Sequence, residues 1–388
     1  MSGPALAWCR GLARAGRIET RGWPTRMIYN LQVLRALAAY LVFLLHFSLY
    51  AGPVLPRPDL LAFGAAGVDI FFVLSGFIMF VSTSGRAERP GAFLVRRAAR
   101  VVPVYWLVTL GLALMALAGL RPVGIVEFRP EYLLQSLAFL PFSRGGYIEP
   151  LNSVGWTLNY EMFFYAVFAA LLLIPTAAHR ALAAAVVFLG LILLGLVPMP
   201  GIYWAFYTKP IVIEFAFGIG LGYAYERFGH PPARFPVRRI ASVAFLAAAL
   251  LLLGGQGGAY ALGVSPELQG FYRPLVWGSA AVLIVGAMLL LERAGIVLRA
   301  RWLFAQGNAS YSFYLIHNVL LHSAAKIVSA LVTPGIVSAA LIFVSAFAAA
   351  ALVGDLLFRS VERPGSAALR RRYERRIRPA SLPSALTP

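Results

Sequence analysis

Apolar runs of about twenty residues recur along the chain from Leu31 to Phe358, parted by short polar or basic segments. A helix of that length matches the hydrocarbon core of a bilayer. Helices also satisfy their own backbone polar groups there. The pattern predicts ten spans, near 31–50, 66–83, 102–120, 153–174, 181–198, 208–226, 238–254, 272–291, 308–331 and 336–358. Most are apolar on every face, unlike the one-sided helices of soluble proteins. The stretch 131–142 is too short to span and is expected as an interfacial or re-entrant helix. The fold class expected is therefore all-α, a polytopic integral membrane protein. No internal repeat is visible, and no appended soluble catalytic domain is expected.

Composition agrees: 60% of residues are apolar and 13% are charged, the latter about half the usual globular share. The net charge of +19 would suggest nucleic acid in a soluble protein. Here it follows the rule that basic residues gather in cytoplasmic loops. With both termini cytoplasmic and ten spans, 26 of the 34 basic residues fall on the cytoplasmic side and six on the other. Residues 1–26 carry five arginines and no apolar core, so they are expected to be a disordered basic tail rather than a signal peptide. Met27 is an alternative start. Residues 27–363 form the transmembrane domain, and 364–388 are expected to be a second disordered basic tail. The single cysteine, Cys9, rules out an internal disulfide, and no metal site is expected.

Against this apolar background the polar residues stand out. Arg35 and His46 lie eleven residues apart in the first span, nearly three turns, so both point to one face about 16 Å apart. Charged groups in hydrocarbon are costly and mark function. Gly67-Val-Asp-Ile-Phe-Phe-Val-Leu-Ser-Gly-Phe77 places Asp69 one turn inside the second span. A short connection would bring Asp69 to His46, where a carboxylate could fix the imidazole tautomer and leave the other nitrogen as a base. Asp69 could equally cap its helix. Arg97 and Arg100 share a helical face before the third span and could grip phosphate; ordinary topological charge or lipid-headgroup contact is the alternative. Trp156-Thr-Leu-Asn-Tyr-Glu161 puts Glu161 inside the fourth span, so His46, Asp69 and Glu161 are expected to converge at one depth from three helices. Trp156 and Tyr160 are interfacial anchors or sugar-stacking residues. Tyr311, Tyr314 and His317 form one stripe in the ninth span, with His317 either a packing element or part of the site. Glu214 is a weaker candidate.

Taken together these motifs resemble the acyltransferase-3 family of membrane acyltransferases. The carrying residues are Arg35 with His46, the Gly67–Phe77 string, Arg97-Ala-Ala-Arg100 with Pro103, Trp156–Glu161, and Ser310-Tyr-Ser-Phe-Tyr-Leu-Ile-His317. They run in order from about Met27 to Pro364. The form Trp-Thr-Leu-Asn-Tyr-Glu-Met-Phe-Phe-Tyr is most similar to the exopolysaccharide O-acetyltransferase branch, the ExoZ-like members.

The resemblance implies transfer of an acyl group, usually acetyl, from cytoplasmic acyl-CoA to a carbohydrate hydroxyl on the outer side of a bacterial inner membrane. The acceptor would be a polysaccharide or lipid-linked sugar. His46, Asp69 and Glu161 would be catalytic; Arg35, Arg97 and Arg100 would bind the CoA phosphates; Trp156, Tyr160, Tyr314 and His317 would hold the acceptor. No permanently bound cofactor is expected, since acetyl-CoA is a donor substrate. The expected partners are acyl-CoA, the acceptor, membrane lipid and a polysaccharide assembly machinery. Direct transfer and an acyl-histidine intermediate both fit. Two other classes fit the buried ionisable residues: a proton-coupled secondary transporter for a sugar or organic anion, and a non-catalytic scaffold of such a machinery.

Overall fold

A computed structural model describes residues 28–55, 57–85, 88–120, 128–232, 234–255 and 266–377. The first helix, α1 (Tyr29–Ala51), begins without a side-chain cap of its own. Glu292, far along the chain, supplies one: its carboxylate accepts from the backbone N–H groups of Tyr29 (2.8 Å) and Asn30 (2.7 Å). These are orphan donors of the first turn, and a carboxylate also suits the positive end of the helix dipole. Asn30 completes the joint by donating to the carbonyls of Met288 and Ile296 and accepting from Leu298.

The remaining helices are α2 (Ala66–Thr83), α3 (Pro90–Leu117), α4 (Pro130–Leu137), α5 (Trp156–Leu171), α6 (Ala177–Leu194), α7 (Ile202–Tyr207), α8 (Ile213–Phe228), α9 (Val237–Gly254), α10 (Pro266–Arg273), α11 (Ser279–Arg293), α12 (Arg301–Asn308), α13 (Ser310–Leu331), α14 (Ile336–Leu357) and α15 (Arg363–Ile377). One small hairpin, β1 (Ser143–Arg144) with β2 (Tyr147–Ile148), interrupts the helical pattern. The short apolar stretch after residue 130 is the eight-residue helix α4.

Among the described residues, seven helical stretches are long and apolar enough to cross a membrane: Tyr29–Ala51, Pro58–Thr83, Pro90–Leu117, Ala177–Leu194, Val237–Gly254, Gly270–Arg293 and Ile336–Tyr373. The other three expected spans fall on α5 and α8, each 16 residues, and on α13, which carries His317, Asn318, His322 and Lys326. By length and apolarity alone, seven of the ten expected spans qualify among the described residues. The three shorter or more polar helices hold much of the buried polar inventory: Thr157, Asn159, Glu214, Ser310, Ser312, His317 and Asn318.

Close helix packing depends on missing side chains at a few positions. Gly76 on α2 and Gly218 on α8 face each other, and a Cβ on either would strike a backbone carbonyl, Phe215 or Val73 respectively. The two backbones meet there as small-residue interfaces allow. α13 lies along α14, and α15 lies along the first half of α3.

Residues 364–377, expected to be disordered, are helical, as part of α15. The composition is hydrophilic, but α15 has a tertiary anchor. Pro103 lies inside α3 and has no N–H to give to the Ala99 carbonyl one turn back. Ser366 Oγ donates to that carbonyl instead, at 2.9 Å, and Gly365 packs against the Pro103 ring. The rest of the expected tail, 378–388, and the N-terminal tail lie outside the described residues.

Candidate active site

A narrow cavity of about 70 Å³ lies between α1, α2, α3, α5 and α13. One end is cationic. Arg35 and Arg100 line it, and Arg35 is 8% exposed. Arg35 makes a single long hydrogen bond to Gln32 Oε1, at 3.4 Å. Arg100 has no hydrogen-bond or ion-pair partner among the described residues. Buried guanidinium groups ordinarily have their donors engaged. Arg35, buried, has only that one long bond, and Arg100, half-buried, has none among the described residues; both line the cavity.

Arg97 differs from its neighbour. Its guanidinium lies over the Phe93 ring at 5.4 Å and reaches Ser82 Oγ at 3.4 Å, and it does not line the cavity. The expected forked pair of Arg97 and Arg100 is thus split. Arg100 joins Arg35, while Arg97 stands behind them.

Glu161 lines the middle of the cavity. Its Oε1 accepts from Ser75 Oγ at 3.1 Å and from the Tyr165 hydroxyl one turn along the same helix. Toward the other end stands Tyr314, buried, with its hydroxyl bonded to Thr157 Oγ1 (3.0 Å) and the Val154 carbonyl (3.0 Å).

His317 packs against Tyr314, and His46 packs against His317; neither histidine lines the cavity. His317 is wholly buried and stacks on Phe313. Its Nδ1 is 2.6 Å from the Tyr314 carbonyl, and its Nε2 is 3.3 Å from His46 Nδ1. His46 Nδ1 is in turn 2.9 Å from the Val42 carbonyl. These contacts assign the protons. A carbonyl oxygen only accepts, so each Nδ1 carries hydrogen. Neutral His317 then offers its Nε2 lone pair to His46 Nδ1–H, which it shares with Val42. His46 Nε2 is left with a lone pair and no protein donor among the described residues. That is the state a general base requires.

His317 therefore holds the position expected of Asp69, and the His46–Asp69 dyad does not form. Successive residues of a helix turn by about 100°. Val68, Phe72 and Ser75 line the cavity, whereas Asp69 shares the opposite flank with Val73 and Gly76, against α8. There its carboxylate forms a buried fork with Arg273, Oδ2 to Nη2 at 2.9 Å and Oδ1 to Nε at 3.3 Å. Glu214, wholly buried on α8, lies beside the same pair, and Trp277 covers the guanidinium at 5.5 Å. His46, Asp69 and Glu161 thus reach three separate places rather than one.

Two further expectations are corrected. Tyr160 is buried; its ring stacks on Phe206 at 4.1 Å and its hydroxyl donates to the Phe206 carbonyl at 2.6 Å, leaving no face for a sugar. His317 is equally closed to an acceptor. Trp156 packs edge-on against Tyr160 and stays partly exposed. Sequence reasoning missed Arg273, which read as one of six basic residues on the outer side, and Tyr165 and Ser75, which carried no charge to mark them.

The acyltransferase domain of the acyltransferase-3 family matches residues 28–358, which takes in every group just described. The chain belongs to the acyltransferase-3 family. It is 37% identical over 317 residues to the exopolysaccharide production protein ExoZ of Rhizobium meliloti (strain 1021), covering 81% of this chain and 92% of that one. It is 32% identical over 126 residues to nodulation protein 10 of Rhizobium leguminosarum bv. viciae, covering 29% of this chain and 34% of that one. No solved structure matches it significantly. The chain is thus a multi-pass membrane acyltransferase, which sets aside the transporter and scaffold readings.

Proposed function

We propose that the protein moves an acyl group, acetyl in the first instance, from acyl-CoA to a hydroxyl of an exopolysaccharide or its lipid-linked precursor, in a bacterial inner membrane. The observation that carries this reading is one cavity lined by two arginines that make no ion pair among the described residues, with Tyr314 on its wall packed against a histidine pair in which His46 Nε2 has no protein donor among those residues. The polysaccharide acceptor is supported by the resemblance to ExoZ, whose name records exopolysaccharide production.

In this reading Arg35 and Arg100 hold the donor phosphates at the cytoplasmic side, with charge-assisted hydrogen bonds. The pantetheine arm lies along the cavity past Glu161. His46 Nε2 takes the proton from the acceptor hydroxyl as its oxygen attacks the thioester carbon. The C–S bond breaks, and the departing thiolate takes that proton from His46. His317 keeps His46 in the required tautomer throughout, and the imidazolium formed in between keeps its Nδ1–H on His317 and Val42. Tyr314 lines the cavity and packs against His317, ring centroids 5.7 Å apart, so in this reading its side chain turns for thioester and base to meet.

Sealed vesicles of known orientation test the reading, with labelled acetyl-CoA and an impermeant acceptor supplied on chosen sides. Transfer is expected only with acetyl-CoA on the cytoplasmic side and acceptor on the opposite side. Transfer with both confined to the cytoplasmic side, and none across the membrane, would overturn the sidedness.

A further inference from the structure

The end of α1 away from Arg35 carries polar side chains that the cavity does not use. Tyr50 lies one turn beyond His46 on the same face of α1, about 6 Å along the axis. Its hydroxyl donates to Asn318 Oδ1 at 3.1 Å. Asn318 Nδ2 donates in turn to Ser153 Oγ at 3.0 Å. Asn318 follows His317 directly on α13, so the chain Tyr50–Asn318–Ser153 runs beside the histidine pair. None of its members lines the cavity that holds Arg35 and Arg100. Both outer members are held in place. The His322 ring meets Tyr50 edge-on at 5.8 Å. Asn152, next to Ser153, donates to the Leu315 carbonyl at 3.1 Å, which fixes that turn against α13.

The three differ in what they have left to offer. Asn318 is buried, 5% exposed, with its amide oxygen and nitrogen both engaged. Tyr50 and Ser153 are half-buried. Tyr50 has given its one hydrogen, and its oxygen still accepts. Ser153 has accepted once, and its hydrogen has no acceptor among the described residues. Turning the amide over exchanges these roles and leaves the same pair, one donor and one acceptor. Neighbouring hydroxyls on a sugar ring each give and take a hydrogen bond, so they match such a pair. His46 is half-buried too. Its Nδ1 faces the Val42 carbonyl, one turn back toward Arg35. Nε2, across the ring, points away from that carbonyl and so away from the Arg35 end.

We propose that Tyr50 and Ser153, spaced by Asn318, bind the acceptor sugar beside His46, so that the acceptor reaches the base from the α1–α13 seam and the donor from the cavity. This rests on the reading of His46 as the base of acyl transfer. Asn318 is a positioning residue, acting through the two hydroxyls. The probe is the exopolysaccharide of the bacterium that makes this protein, deacetylated with mild alkali, supplied with labelled acetyl-CoA to the purified protein in detergent. Tyr50→Phe and Ser153→Ala each delete one hydroxyl. Each is expected to raise KM for the polysaccharide about threefold to tenfold, with kcat and KM for acetyl-CoA within about twofold of the wild type. Asn318→Leu keeps the size, releases both hydroxyls, and is expected to raise that KM at least as much as either. In the Asn318→Leu background Tyr50→Phe should add little, because its hydroxyl is no longer held. A role in packing alone would raise both KM values together or lower kcat, and that result overturns the proposal. So does an unchanged polysaccharide KM in Tyr50→Phe and Ser153→Ala, which decide alone if Asn318→Leu does not accumulate. Wild-type protein that transfers nothing to the polysaccharide, or transfer that survives His46→Ala, would sink the reading of the site and the inference with it. Transfer that needs His46 but ignores both hydroxyl deletions sinks the inference alone.

Discussion

His46 and His317 touch, yet the geometry gives them unequal roles, and mutation should separate them. His46→Ala removes the base and should lower the transfer rate by about 10²–10⁴. His317→Ala removes one of two acceptors on His46 Nδ1–H and leaves the Val42 carbonyl in place, at 2.9 Å. The preferred tautomer survives with one anchor fewer. A single hydrogen bond is worth roughly 0.5–1.5 kcal/mol net, so the rate should fall only about twofold to twelvefold. His317→Gln places an amide oxygen near the old Nε2 position and should recover most of that loss. The assay is transfer of labelled acetyl from acetyl-CoA in purified membranes. Thermal unfolding of each variant runs alongside, because emptying a buried ring site loosens the packing around Phe313 and Phe43. His317→Ala as damaging as His46→Ala, with stability intact, would refute the assignment and make His317 the group that takes the proton.

Arg35→Gln and Arg100→Gln should each weaken acyl-CoA binding by the value of a charge-assisted hydrogen bond, about 1.5–3 kcal/mol, while Arg97→Gln, whose guanidinium is already engaged with Phe93 and Ser82, should cost clearly less; calorimetric titration with CoA ranks the three. Arg273→Met strands Asp69 beside Glu214 in a buried site, and breaking such a pair from one side costs about 3–5 kcal/mol; a fall in melting temperature, partly restored by Asp69→Asn in the same chain, checks it. Gly218→Ala drives a methyl group into the Val73 carbonyl and should destabilise by about 1–3 kcal/mol or more through overpacking, read in the same melting experiment.

The helices, their order and the rank of the polar residues were legible because periodicity and apolar length report on each segment alone. Partners were not. That Asp69 and His46 sit near the same depth could be read from a short connection between two spans. Which way each helix is rotated could not, since rotation is set by contacts with α8 and α13 far away in sequence. Gly76, which expressed only permission for close approach, turns out to fix that rotation by seating α2 on α8. Arg97 and Arg100 show the same limit at shorter range: three residues apart on one helix, they meet different neighbours. The two shortest membrane-buried helices, α5 and α8, also explain the uncertain span count, because interior helices need neither the length nor the uniform apolarity that lipid contact demands. The helical state of 364–377 escaped composition entirely, as its anchor is a carbonyl vacated by Pro103.

That vacated carbonyl also bears on biosynthesis. Ala99 and Ser366 are 267 residues apart, so the third helix enters the bilayer long before the residue that completes its hydrogen bonding has been translated. The π-turn Phe358–Glu362, whose buried Glu362 accepts from Ser312 Oγ and which packs on α3, also emerges late. The cationic mouth of the cavity is consequently finished only at the end of synthesis, and a chain stalled or clipped before residue 362 would carry a bundle with an open seam beside Arg100. A nascent chain therefore completes that end of the bundle only after residue 366 has been translated.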